Sequence, residues 1–174
     1  MKRLFILLFV LLPFTMLAQE RPVLDWNFFK NDRPANAPHQ ALTWYNLSYR
    51  YKPLRFEGDQ VYLQFEVNLK MDSVRSYFDV NRKRLPDYEL LKHEQGHADI
   101  GFLYALKLKE AFEKATFSRK DYQQAVRKIF DEVYGQMNAE NIRYDSETDH
   151  SKNKNGQRTW DQHLKDEISI RSIK

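Results

Sequence analysis

Residues 90–101 read LLKHEQGHADIG, with His93 and His97 four apart and Glu94 directly after the first histidine. On a helix, side chains at i and i+4 are neighbours, so these two imidazoles can fill adjacent corners of one metal tetrahedron. A residue one step further along is turned about 100° aside. Glu94 is therefore free of the metal but within reach of a water on it, which is the physical content of the H-E-x-x-H pattern. The chemistry implied is metal-assisted hydrolysis, with two nitrogen ligands, an activated water and a general base.

The surroundings of the three residues favour that reading. With His93 at zero on a helical projection, Leu90, Gly101, Phe112, Ala105 and Ala98 fall between about 60° and 140°; Lys92, Asp99, Glu110, Lys107 and Lys114 fall between about 240° and 320°. His93 and His97 lie off the charged side, and Glu94, near 100°, lies in the middle of the apolar sector. Burying a carboxylate and two imidazoles costs several kcal/mol unless something satisfies them. A shared ion satisfies all three at once. Gly96 sits mid-helix, where glycine costs about 1 kcal/mol relative to alanine. It reads as a point where a neighbouring element approaches closely.

Zinc, the expected ion, needs a third protein ligand. An extended metzincin pattern would require glycine and histidine where this chain has Ile100 and Leu103, so that class is excluded. Three candidates remain: Glu140 in MNAEN, His150 in YDSETDH and His163 in WDQHL. The chain has no cysteine, which rules out a disulfide framework and the usual cysteine-rich closed zinc site.

The elements that must hold these residues lie after the N-terminus. The chain of 174 residues begins MKRLFILLFVLLPFTMLAQE. Lys2 and Arg3 precede an apolar run from Leu4 to Leu17, about 14 residues against roughly 20 needed to span a bilayer. Residues 1–18 read as a secretory signal peptide, and residues 19–174 as one domain. The expected location is secreted or periplasmic, with no stable membrane anchor once the leader is cleaved. Without Lys2 and Arg3 the formal charge falls from +4 to +2. The basic residues are scattered, and the cluster Arg82, Lys83, Arg84 reads as a solvated loop, so nucleic acid is not an expected partner.

Residues 24–41 read as an irregular lead-in that packs Trp26 and Phe29 inward. LTWYNLSYRYK at 42–52 has strand composition, EGDQ at 57–60 is a turn, and VYLQFEVNL at 61–69 alternates apolar and polar. Residues 71–80 read either as a third strand or as a connection. From Asp87 to about residue 115 the pattern is helical. A second helix opens at Ser118 and Asp121 in capping-box style and runs to about 140, with Val126, Phe130, Val133 and Met137 at helical spacing. Residues 143–157 read as a polar loop, and Trp160, Leu164 and Ile168 mark a short third helix. The expected class is α+β and zincin-like: a small antiparallel sheet, then helices, with the motif on a buried central helix.

The chain resembles a family of exported bacterial proteins described as predicted secreted zinc-dependent proteases. The likeness rests on LLKHEQGHADIG, on YDSETDHSKNKNGQRTW about fifty residues later, and loosely on LDWNFFK near the mature N-terminus. It implies that His150, in the recurring D-x-x-T-x-H element, is the third ligand beside His93 and His97. It also implies that Tyr144 and Asp145 lie near the metal. In the resulting scheme Glu94 is the general base, Tyr144 or His163 supports the oxyanion, and Asp145 orients an imidazole. The substrate is a peptide or protein. The rival readings are a zinc amidase acting on cell-wall peptides, and a non-catalytic binding or assembly protein with a vestigial site. Ser151 stands where the family pattern leads one to expect glycine.

Overall fold

A computed structural model describes residues 20–81 and 87–172. The expected leader at 1–18 and the basic cluster at 82–84 lie outside the described residues. Two short strands come first, β1 at Asn31–Asp32 and β2 at Ala41–Leu42. Two long ones follow, β3 at Tyr45–Glu57 and β4 at Gln60–Met71, antiparallel and joined by a turn at residues 58–59. The alternation in β4 is seen in its burial. Val61 and Leu69 are buried and face the helices, whereas Tyr62 and Glu66 are exposed. Residues 71–80 turn at 73–75 and then form only a two-residue strand, β5 at Tyr77–Phe78.

Helix α1 spans Tyr88–Lys114. Asp87 caps it, its carboxylate accepting the Leu90 N–H at 3.1 Å. A two-residue strand, β6 at Phe117–Ser118, adds to β4. Then come α2 at Tyr122–Thr148 and α3 at Lys154–Ser172. The class is α+β, with small sheets followed, among the described residues, by three long helices. One sheet has the order β3-β4-β6 and is antiparallel throughout. The other, β1-β5-β2, is mixed, since β1 runs parallel to β5.

Two helix boundaries differ from the sequence expectation. Ser118 does not cap α2; it lies in β6 and accepts the Lys120 N–H, and Asp121 takes the N-cap position without a side-chain bond. More consequentially, α2 continues through residues 143–148, which read as loop because RYDSET lacks an apolar period and is rich in poor helix formers. Packing overrides that weak preference, because Tyr144 and Thr148 are completely buried.

The main core joins the β3–β4 hairpin to all three helices, with Leu47, Ile100, Leu103, Leu108 and Leu164 at its centre. Phe65 stacks on Phe112 with centroids 4.1 Å apart and planes 8° apart. A smaller cluster under the second sheet includes Leu24, Phe29, Phe78 and Leu90. α1 thus runs between both sheets and both other helices, which is why its polar side is also partly covered. Asp99 is 7% exposed and receives a forked pair of bonds from Arg21 at 2.7 and 2.6 Å. Gln95 accepts the Leu24 N–H and donates to the Pro22 carbonyl. Residues 21–24 are clasped to α1 by these bonds. No described helix is long and apolar enough to cross a membrane.

Candidate metal centre

His93 and His97 project from consecutive turns of α1 toward one oxygen of Asp145. His93 Nε2 lies 3.1 Å and His97 Nε2 3.0 Å from Asp145 Oδ1. His150 Nδ1 lies 3.5 Å from that same oxygen. Donor atoms of His93, Asp145 and His150 all fall within 4.8 Å of one another. In a zinc tetrahedron with bonds near 2.1 Å, the edge between two donors is about 3.4 Å. His93, Asp145 and His150 thus form a candidate three-donor set for a small divalent ion, and His97 Nε2 reaches the same Asp145 oxygen from the next turn of α1.

The chain's own bonds present the correct nitrogens. Asn141 donates through Nδ2 to the Tyr45 hydroxyl at 2.7 Å and to the Met137 carbonyl at 3.0 Å, so its Oδ1 faces His97 as an acceptor. His97 Nδ1 lies 2.7 Å from that oxygen and donates to it, so Nε2, which here donates to Asp145, is the nitrogen left for a metal once its own proton is released. Gln157 does the same for His93. Its amide nitrogen donates to the Tyr144 hydroxyl at 2.7 Å and to Asp161 at 2.9 Å, turning Oε1 toward His93 Nδ1 at 3.4 Å. The Thr148 hydroxyl, which donates to the Tyr144 carbonyl, is a second acceptor for Nδ1 at 3.3 Å.

His150 arrives by a different route. Asp149, His150 and Ser151 have φ of 45°, 48° and 79°, three consecutive left-handed residues at the end of α2. The Asp149 and His150 N–H groups bond back to the Asp145 carbonyl, and this tight reversal swings the His150 ring over the cluster. Ser151 adopts the glycine-like conformation that its position in the motif calls for, at a steric cost a glycine would not bear.

Electrostatics bind the cluster together. Burial disfavours a charged His97, but the hydrogen bond to Asp145 and the nearby Glu94 carboxylate outweigh it and lift its pKa to about 8. Burial alone would raise the Asp145 carboxyl; bonds from both histidines hold it well below the usual range instead. Burial pushes the Tyr45 and Tyr144 hydroxyls far above their ordinary value.

Glu94 is buried, with 2% exposure, and lines the same cleft as His93, His97, Asp145 and His150. The cleft has a volume of about 850 Å³ and runs between residues 38–45, the first turns of α1 and the end of α2. The Thr43 hydroxyl donates to Glu94 Oε2 at 2.6 Å.

Two expected positions are corrected. His163 is not part of the cluster: it sits on α3 with its Nε2 3.7 Å from Glu140 and its ring against Trp160. Glu140, the rival third ligand, accepts the Tyr104 hydroxyl at 2.6 Å and lies near Lys107. Neither His163 nor Glu140 lines the cleft. Tyr144 is adjacent to the site, as expected, but fully buried. Its ring stacks on His93 at 4.7 Å and its hydroxyl donates to the His93 carbonyl at 2.9 Å. That hydroxyl holds the helix, and no part of Tyr144 faces the cleft where an oxyanion would form. Asp145, expected beside an imidazole, is instead the point on which three imidazoles converge. Thr43, Asn141 and Gln157 were not anticipated. Once α2 is extended to 148, helical spacing puts Asn141 and Asp145 on one face, a signal the loop reading hid.

The segment 26–151 matches the description of a bacterial protein family of unknown function, DUF922. The chain belongs to DUF922. The match ends one residue after His150, so the DUF922 segment carries Thr43, Glu94 and all four convergent donors, whereas Gln157 and the rest of α3 lie beyond it. No curated protein and no solved structure matches the chain.

Proposed function

We propose that this DUF922 protein is an exported zinc-dependent hydrolase that cleaves peptide bonds. One observation carries the reading: a buried carboxylate, Glu94, shares a cleft with His93, Asp145 and His150, whose donor atoms lie within 4.8 Å of one another, and with His97, which reaches the same Asp145 oxygen. His93, His97, Asp145 and His150 would hold a zinc ion, with Asn141 and Gln157 fixing the tautomers of the two helix histidines. Zinc bound there would supply Lewis acidity, bringing the pKa of a water toward about 7 and polarising a carbonyl. Glu94, buried in the same cleft, would be the group that accepts a proton from a water there and returns it to the leaving amine.

The test is zinc analysis of purified protein together with hydrolysis of casein-like peptides and cell-wall fragments. Stoichiometric zinc, with peptide cleavage lost in Glu94→Gln and zinc retained, supports the reading. Zinc-loaded protein that cleaves neither substrate overturns it. A second reading is favoured by the number of donors, because four protein ligands fill a tetrahedral shell and describe a closed binding site. Turnover separates the two: a closed site holds zinc and leaves peptides intact, whereas a hydrolytic site cleaves them and stops doing so in Glu94→Gln with zinc retained.

A further inference from the structure

Glu94 is a long side chain whose carboxylate must point one oxygen at a water, and little in α1 itself fixes its direction. Among the described residues the only hydrogen bond to that carboxylate comes from Thr43, whose Oγ1 lies 2.6 Å from Oε2. This distance is in the range of charge-assisted O–H···O⁻ bonds. Both groups are buried, Thr43 with 8% exposure and Glu94 with 2%. Both line the cleft that holds the metal cluster.

Thr43 is itself held firmly. It occupies the link between β2 and β3. The next residue, Trp44, donates its N–H to Ser76 Oγ at 2.9 Å and accepts the Asp72 N–H at 2.9 Å. Ser76 Oγ in turn donates to the Asp72 carbonyl at 2.6 Å. The hydroxyl is thus presented to Glu94 from a backbone braced on the far side by residues 72–76.

We propose that Thr43 is a positioning residue for Glu94: its hydroxyl occupies one carboxylate oxygen and leaves the other turned toward the reacting water. The inference rests on the reading of Glu94 as general base. A carboxylate left without this bond rotates about its last torsion, and small losses of alignment at a reacting group cost large factors in rate. Thr43 acts through Glu94 and does not itself touch the substrate.

The experiment compares zinc-loaded wild type, Thr43→Ser, which keeps the hydroxyl, and Thr43→Val, which keeps the shape without a donor. The readouts are zinc content, kcat and KM on a peptide substrate, and affinity for acetohydroxamate, a zinc-binding probe whose proton Glu94 would hold. Thr43→Val is expected to lower kcat by roughly 10- to 100-fold with KM and zinc unchanged. It should weaken acetohydroxamate by a similar factor, and Thr43→Ser should restore most of both. Equal kcat in all three proteins overturns the inference, as does a fall in Thr43→Ser as deep as in Thr43→Val. If wild type cleaves nothing, the proposed activity fails; acetohydroxamate affinity then still decides, and equal affinity in all three overturns the role of Thr43.

Discussion

A methyl group placed on Gly96 would lie 2.1 Å from the hydroxyl oxygen of Tyr144 and 2.5 Å from the ring carbon that bears it. The glycine lets α2 press its buried tyrosine against the turn of α1 between the two histidines. Gly96→Ala should therefore destabilise the fold by more than about 2 kcal/mol, through overpacking rather than lost helix propensity, since alanine is the better helix former. Thermal unfolding followed by circular dichroism measures it; a melting temperature equal to wild type would mean that the two helices do not approach this closely.

Asp145 offers the carboxylate on which His93, His97 and His150 converge. Asp145→Asn preserves the shape and removes the charge, and should weaken zinc by at least about 100-fold, beyond the usual effect of losing an outer-shell partner. Competition against a chromophoric chelator gives the affinity. If Asp145 merely oriented an imidazole, the loss would stay within about 10- to 100-fold.

Asn141 and Gln157 set the proton on the far nitrogen of His97 and His93. Asn141→Leu and Gln157→Leu should each lower zinc affinity about 10- to 100-fold while the protein stays folded. The same chelator competition reads both, with circular dichroism to verify folding. Unaltered affinity in both variants would dismiss them as tautomer-setting groups.

Ser151 adopts φ of 79°, which a glycine tolerates far better. Ser151→Gly should stabilise the protein by about 0.5–1 kcal/mol, the relief of strain being partly offset by the extra freedom of the unfolded chain. Chemical denaturation would register this as a higher midpoint with the same slope. A lower midpoint would mean that the serine side chain makes a contact worth more than the strain.

Zinc should raise the melting temperature by an amount that grows with the logarithm of its excess over the dissociation constant, and a chelator should reverse the gain. The effect should shrink from pH 7.5 to 5.5, since protons compete for the three imidazoles. Scanning calorimetry at both pH values checks it. A melting temperature indifferent to zinc at pH 7.5 would contradict the metal centre.

How much of this was legible in the sequence follows from where the strong local signals lie. The alternation of Val61 to Leu69 and the long helical period after Asp87 gave β4 and α1 with nearly correct ends, because burial on one face leaves a period in the sequence. His93, Glu94 and His97 could be paired by counting alone. The end of α2 left no such trace. RYDSET is helical because Tyr144 and Thr148 pack into the core, and that contact is made with residues fifty positions away. Reading the stretch as loop hid the helical offset that puts Asp145 one turn beyond Asn141. Thr43 was equally invisible, since a threonine in strand-like sequence announces nothing about the glutamate it meets 51 residues later. His163 was overrated for the opposite reason: its residue type suggested chemistry, but its position on α3 pairs it with Glu140.

The clasp of residues 21–24 on α1 sets a limit on how far the polypeptide can be shortened. Asp99 is sunk in the protein with Arg21 as its counter-charge, and Gln95 is satisfied only by the backbone around Pro22 and by Asp99. A processing enzyme that trimmed beyond Arg21 would strand a desolvated anion on the very helix that carries the two histidines. A tag joined directly at Leu24 would therefore disturb the helix that carries His93 and His97 without touching either histidine.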